Sequence, residues 1–209
     1  MKKIFIFGSG GFLKEQYFWI KDSIKKDSDY KIEYIVAKDE KEKFFYETPI
    51  ITEDEIEYNE NIYIYLAIGS IEARLKIINK FLKYNFYTLI HPTAVISDAA
   101  KIGKGCTISP NTIIAGDAEI GDFNCFNFNS MISHDCKTGI NNIYSPGAKV
   151  LGWCNIGNNN YFGCDSVMLP KLNLGNSNII GANATLTKNF NSDNVLVGTP
   201  AKFTNKNKK

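Results

Sequence analysis

The chain has 209 residues, 44% of them hydrophobic and 22% charged, and its net charge is +2. That is an ordinary soluble composition, long enough to bury a core in one large domain or two small ones, and its weak charge gives no electrostatic case for nucleic acid. No stretch approaches the ~20 apolar residues that span a bilayer.

The opening Met1-Lys-Lys-Ile-Phe-Ile-Phe fails as a secretion signal, because Gly8-Ser9-Gly10-Gly11 ends the apolar run and Lys14 and Glu15 follow. Five cysteines, an odd number with no C-x-x-C pair, read as reduced thiols in a cytoplasmic protein. In chain order the first part predicts a strand over Lys3–Phe7, a Gly-rich turn, a helix over Leu13–Lys26 and a strand over Tyr30–Ala37. A loop follows, then a strand over Ile62–Ile68, a helix over Ile71–Tyr84 and a strand over Phe86–Ile90. Residues 1–88 are therefore expected to form a small Rossmann-like α/β domain with a short parallel sheet.

The turn Gly8-Ser9-Gly10-Gly11 follows a strand and opens a helix, where backbone N–H groups attract anions. Leu13 occupies the place of the third glycine of a dinucleotide fingerprint, and so short a domain lacks the second mononucleotide unit of a dehydrogenase. A nucleotide diphosphate is expected here rather than NAD. The plain alternative is that the glycines only pack the helix onto the sheet.

From Ile90 the period changes to six. Of the seventeen positions Ile90, Ile96, Ile102 and onward to Leu186, sixteen are apolar, Thr138 being the exception. Small residues such as Ala94, Cys106, Ser130, Cys136, Cys154 and Ala184 stand two places before them. This is the hexapeptide signature of a parallel β-helix, expected to be left-handed, over residues 89–209. Three units make a coil of eighteen residues, in which small and large residues alternate inward. Gly103, Gly121, Gly139, Gly157 and Gly175 stack along one edge, where a tight backbone turn is expected. Cys136 and Cys154 are read as interior fillers, His91 before Pro92 as structural, and Lys202–Lys209 as a frayed tail.

The second histidine, His134, precedes Asp135 at a corner of the helix. One coil below and above it lie Gly116 and Gly152, which predicts an open slot around the imidazole. A carboxylate on one ring nitrogen fixes the tautomer and raises the basicity of the other. The arrangement points to acyl transfer: His134 deprotonates an amine or hydroxyl that attacks a thioester, with the Gly152 N–H donating to the oxyanion.

Several motifs together carry a family resemblance. They are the G-x-G-G turn, Ala67-Ile68-Gly69 with Arg74 after it, His91-Pro92-Thr93-Ala94, N-x-x-S-x-x-x-H-D-C over Asn127–Cys136, and Val197-Gly-Thr-Pro-Ala-Lys202. With these the chain resembles the bacterial sugar acyltransferases, which include bacillosamine and perosamine N-acetyltransferases and sialic acid O-acetyltransferases. The resemblance implies a homotrimer with active sites between subunits and acetyl-CoA as co-substrate. It implies His134 as general base, Asp135 as its partner and Asn127 near the sugar. It also implies Ile143, Ser145, Gly152, Cys164 and Ala182 along the CoA channel, and Gly8, Ser9, Gly10, Gly11, Phe12, Asp39 and Gly69 around a nucleotide-linked amino sugar. The chain departs from the family at Phe12, where relatives carry a histidine, and at Val36-Ala37-Lys38-Asp39, where they carry paired acids. A zinc enzyme on this fold needs three histidines, and two cannot supply them. O-acetylation of a sugar hydroxyl and a non-catalytic structural β-helix stay open as rivals.

Overall fold

Strand β1 (Lys2–Phe7) is buried from Ile4 to Phe7, as a parallel strand covered on both faces must be. In the computed structural model, which describes residues 1–25, 29–38 and 42–207, the chain divides into two units, Met1–Leu89 and Ile90–Lys209.

The first unit alternates strand and helix: α1 (Gly11–Ile24), β2 (Tyr30–Val36), β3 (Phe44–Phe45), β4 (Thr48–Ile51), β5 (Ile62–Leu66), α2 (Ile71–Lys80) and β6 (Asn85–Phe86). The sheet order is β3-β4-β2-β1-β5-β6, parallel throughout except for the β3–β4 hairpin. Leu13, Tyr17 and Ile20 recur at helical spacing and bury one face of α1 among Ile4, Ile6 and Ile35.

The segment expected as a loop thus contains β3 and β4, which the residues conceal because Pro49 argues against a strand. Helix α1 starts at Gly11 rather than Leu13, and α2 stops at Lys80 rather than Tyr84. Beyond it Phe81 turns inward to meet Phe7 edge-on, with ring centroids 5.0 Å apart. With two helices among the described residues, the Rossmann-like description holds only as a parallel sheet with crossover helices.

The second unit is a left-handed parallel β-helix. After β7 (Leu89–Ile90), two-residue strands repeat every six residues from β8 (Val95–Ile96) to β23 (Thr185–Leu186). They sort into three sheets, each strand pairing with the one eighteen residues on. Between strands the chain turns through a residue in the left-handed region at every sixth position from Gly105 to Asn183. Most of these corners are Asn or Asp, which tolerate that conformation best among residues with a side chain.

The stacked glycines have a different cause from the one expected. Gly121 and Gly139 do not have positive φ; a Cβ on either would lie 2.9 or 2.8 Å from a carbonyl carbon of the next coil. Close approach of coils, not turn conformation, demands glycine there.

Inside the prism Phe126, Tyr144 and Phe162 stack nearly face to face, with centroids 4.4 and 4.7 Å apart. Cys136 and Cys154 are fully buried and donate to the Leu151 and Leu169 carbonyls. A buried asparagine ladder runs through Asn124, Asn142, Asn160, Asn178 and Asn194. The Oδ1 of each of the first four accepts both the backbone N–H and the Nδ2–H of the next asparagine, at 2.8 to 3.1 Å. The last step spans sixteen residues instead of eighteen, so the final coil is two residues short. The tail is not frayed through Lys206: β24 (Asn194–Val197) and β25 (Lys202–Lys206) pair antiparallel, though every residue of β25 is exposed.

Asn160→Ala should orphan the two Asn178 donors and cost about 2–4 kcal/mol in a urea melt. Asn155→Ala, which removes an exposed rung to Asn173, should stay within about 0.5 kcal/mol.

Candidate active site

His134 and Asp135 lie on the corner between β14 (Met131–Ile132) and β15 (Lys137–Thr138). Asp135 occupies one of the left-handed positions, φ 57°. There side-chain alternation lapses, and both groups stay accessible, with side-chain exposures of 46% and 43%. His134 Nδ1 meets Asp135 Oδ2 at 2.8 Å. A carboxylate only accepts, so Nδ1 carries a proton, and in the neutral ring Nε2 is the nitrogen with the lone pair.

The predicted slot is one-sided. A Cβ on Gly152 would lie 2.7 Å from Cε1 and 2.8 Å from Nε2, so the imidazole rests on that glycine. On Gly116 the same atom would meet only Ser97, at 3.7 Å, and not the ring at all. Among the described residues the Gly152 N–H has no acceptor, whereas its carbonyl takes the Lys171 N–H at 2.9 Å. A free donor therefore sits one coil from a free ring nitrogen. Trp153, which sequence reasoning missed, stands edge to face with the imidazole, centroids 4.4 Å apart at 88°.

The other expected residues of this half lie elsewhere on the same prism. Asn127 and Ser145 are eighteen residues apart on the corner that follows β13 (Cys125–Phe126) and its stacked partner, β16 (Ile143–Tyr144). Cys164 and Ala182 belong to that same edge one position on, and Cys164 is exposed. Ile143 lies on the strand and is buried. Asn127 is buried too, its Oδ1 accepting the Phe128 N–H at 2.8 Å. Within one chain, then, the His–Asp pair with Gly152 and the Ser145–Cys164–Ala182 set occupy different edges. His91 closes a local turn, its Nδ1 accepting the Thr93 N–H at 3.2 Å.

In the first unit a cleft of about 570 Å³ opens at the carboxyl ends of β1, β2 and β5. The sheet order reverses direction at β1, which places the cleft at a topological switch point. Gly8, Ser9, Gly10, Gly11, Phe12 and Gly69 line it, with Lys38, Lys76 and Lys80. Asp39 lies outside the described residues.

The glycines divide by role. Gly8 has φ 141°, and a Cβ there would overlap the Ala67 carbonyl, so Gly8 is structural. Gly10 and Gly11 face open space, so helix packing does not explain them. Gly10 caps α1 without a side-chain hydrogen bond, leaving the helix N-terminus open to an anion. Arg74 is fully buried and donates to the Leu66 carbonyl at 3.1 Å, holding the turn that carries Gly69. The Lys80 ammonium is hydrogen-bonded to Glu53 at 2.7 Å, which raises its pKa above the ordinary lysine value.

Together these features define the molecule as a parallel α/β unit followed by a left-handed β-helix with a histidine–carboxylate pair on one edge. No protein-family model matches the sequence, and no curated protein matches it. Solved structures do. The acetyltransferase domain of PglB from Neisseria gonorrhoeae is similar at a TM-score of 0.88 and 21% identity, covering 98% of this chain and 100% of that one. WeeI from Acinetobacter baumannii gives 0.89 and 23%, over 98% and 100%. A mutant perosamine N-acetyltransferase from Caulobacter crescentus, in complex with CoA and GDP-perosamine, gives 0.85 and 22%, over 99% and 98%. At these identities the likeness establishes the fold across both units.

Gly10→Ala and Gly11→Ala should leave stability within about 0.5 kcal/mol, whereas Gly8→Ala should lower it by at least ~2 kcal/mol, read in denaturant melts. Gly152→Ala should fold but push the imidazole off its seat, seen as a displaced His134 Hε1 resonance.

Proposed function

We propose that the protein is an acetyl-CoA-dependent N-acetyltransferase acting on the amino group of a nucleotide-linked amino sugar. The observation that carries this reading is the 2.8 Å bond from His134 Nδ1 to Asp135, which leaves Nε2 as a free base beside the unpaired N–H of Gly152. His134 Nε2 takes a proton from the attacking amine as it adds to the thioester carbonyl. The Gly152 N–H stabilises the oxyanion of the tetrahedral intermediate. Asp135 holds the ring in the required tautomer and stabilises the imidazolium. As the carbon–sulfur bond breaks, the imidazolium returns its proton to the departing thiolate.

The substrate assignment draws support from two sides. The neighbours include an acetyltransferase domain in complex with acetyl-CoA and an N-acetyltransferase holding GDP-perosamine. The switch-point cleft offers an uncapped helix N-terminus and lysines, features that suit a nucleotide diphosphate. Ser145, Cys164 and Ala182 share an edge that His134 does not, so a homotrimer with active sites between subunits would complete the CoA channel. Phe12 offers an aromatic face to the nucleotide or sugar.

Incubation with acetyl-CoA and a panel of UDP-, GDP- and dTDP-amino sugars should release free CoA with at least one acceptor. Silence on all of them, with release on free sialic acid, would replace N-acetylation by O-acetylation. His134→Ala should lower turnover by ~10²–10⁴ with little effect on folding, and Asp135→Asn should cost less. Near-normal turnover in purified His134→Ala would falsify the general-base role. Light scattering should give the mass of three chains.

A further inference from the structure

Three contacts hold the imidazole of His134: Asp135 on Nδ1, Gly152 under its Cε1–Nε2 edge, and Trp153. The acyl-transfer reading uses the first two and leaves the third without a purpose. Trp153 occupies a corner with φ 60°, a place this β-helix fills mostly with Asn, Asp or Gly. A bulky ring gains nothing from that backbone. The other aromatic corner residue, Phe123, is buried, whereas Trp153 is 51% exposed, so burial does not account for the indole either.

The indole is nonetheless held. Lys171, at the same corner one coil on, places its ammonium 5.5 Å from the ring, a cation–π restraint. The corner positions along this edge therefore run Asp135, Trp153 and Lys171, with the imidazole packed against the middle one.

We propose that Trp153 is a positioning residue for His134: its ring blocks rotation of a half-exposed imidazole and keeps Nδ1 on Asp135 and Nε2 over Gly152. An exposed side chain would otherwise sample several rotamers, and a base must stay within hydrogen-bond reach of the proton it removes. This role rests on the acyl-transfer reading above, but the contact itself can be tested without any substrate.

Trp153→Asn places at the corner a residue that suits its conformation, so the melting temperature should hold or rise. Turnover should fall about tenfold, with KM for acetyl-CoA and for the acceptor within about twofold. Trp153→Phe, which keeps an aromatic ring there, should recover most of the loss. A purely structural tryptophan would show the reverse, a lowered melting temperature with unchanged turnover.

The substrate-free readout uses the two tryptophans of the chain, Trp19 and Trp153. In a Trp19→Phe background, protonation of His134 should quench the single remaining indole, because an imidazolium in contact is an efficient quencher. Emission should therefore drop in one step as pH falls, and the step should vanish in His134→Asn. Asp135 and Lys171 are the charged groups at the pair, and Lys171→Gln should retain the step. Absence of the step, or unchanged turnover in Trp153→Asn, overturns the proposal. If the unmodified protein releases CoA with none of the acceptors, acyl transfer fails on its own, and the fluorescence step still decides whether Trp153 holds the ring.

Discussion

The left-handed backbone turn at every sixth residue is the constraint on which the second unit depends. Each such corner ends a two-residue strand and starts the next, and three of them return the chain to its own column. Identical positions in successive coils are then in direct contact. That is why glycine, asparagine, cysteine and aromatic columns form, and why a residue's neighbours are found by adding or subtracting eighteen.

Registry of this kind needs protection, because an apolar period of six would let short parallel strands slip by one six-residue unit. The asparagine ladder supplies it. A buried carboxamide that lost its partner would leave polar atoms unpaired, and the cost of that exceeds the modest net gain of each bond formed. The Phe126–Tyr144–Phe162 stack adds shape to the same registration, since its planes lie within 6° and 18° of parallel.

The same geometry builds the candidate site. A corner lets two consecutive side chains, His134 and Asp135, leave the prism together, which a regular strand forbids. The coil above contributes a bare backbone and an indole. The molecule thus brings an imidazole, a carboxylate, an open N–H and an indole together from two short segments, 134–135 and 152–153, with no long loop. The first unit reaches its cleft by another route, through the reversal of strand order at β1 that opens a crevice at the strand ends.

Much of this was legible in the residues. The six-residue apolar period gave the winding, the histidine–aspartate dipeptide marked an accessible, hydrogen-bonded pair, and the Gly-rich turn after β1 marked the cleft. Periodicity is local, so one sequence suffices to read it. Other features stayed hidden because they arise between segments rather than along them. Pro49 disguised β4, which forms because β2 and β3 flank it. Nothing along the chain singles out Trp153, and only the coil places it against His134. Gly116 and Gly152 are equivalent by spacing, and the tilt of the imidazole toward one of them is decided by rotamer and packing. The sequence by itself determined the repeat, the adjacency of His134 and Asp135 and the register that stacks the coils. Only the tertiary structure decided which side of the coil the ring leans on, which glycines yield to close approach and which edge each candidate residue occupies, because those depend on distances across coils that no linear pattern records.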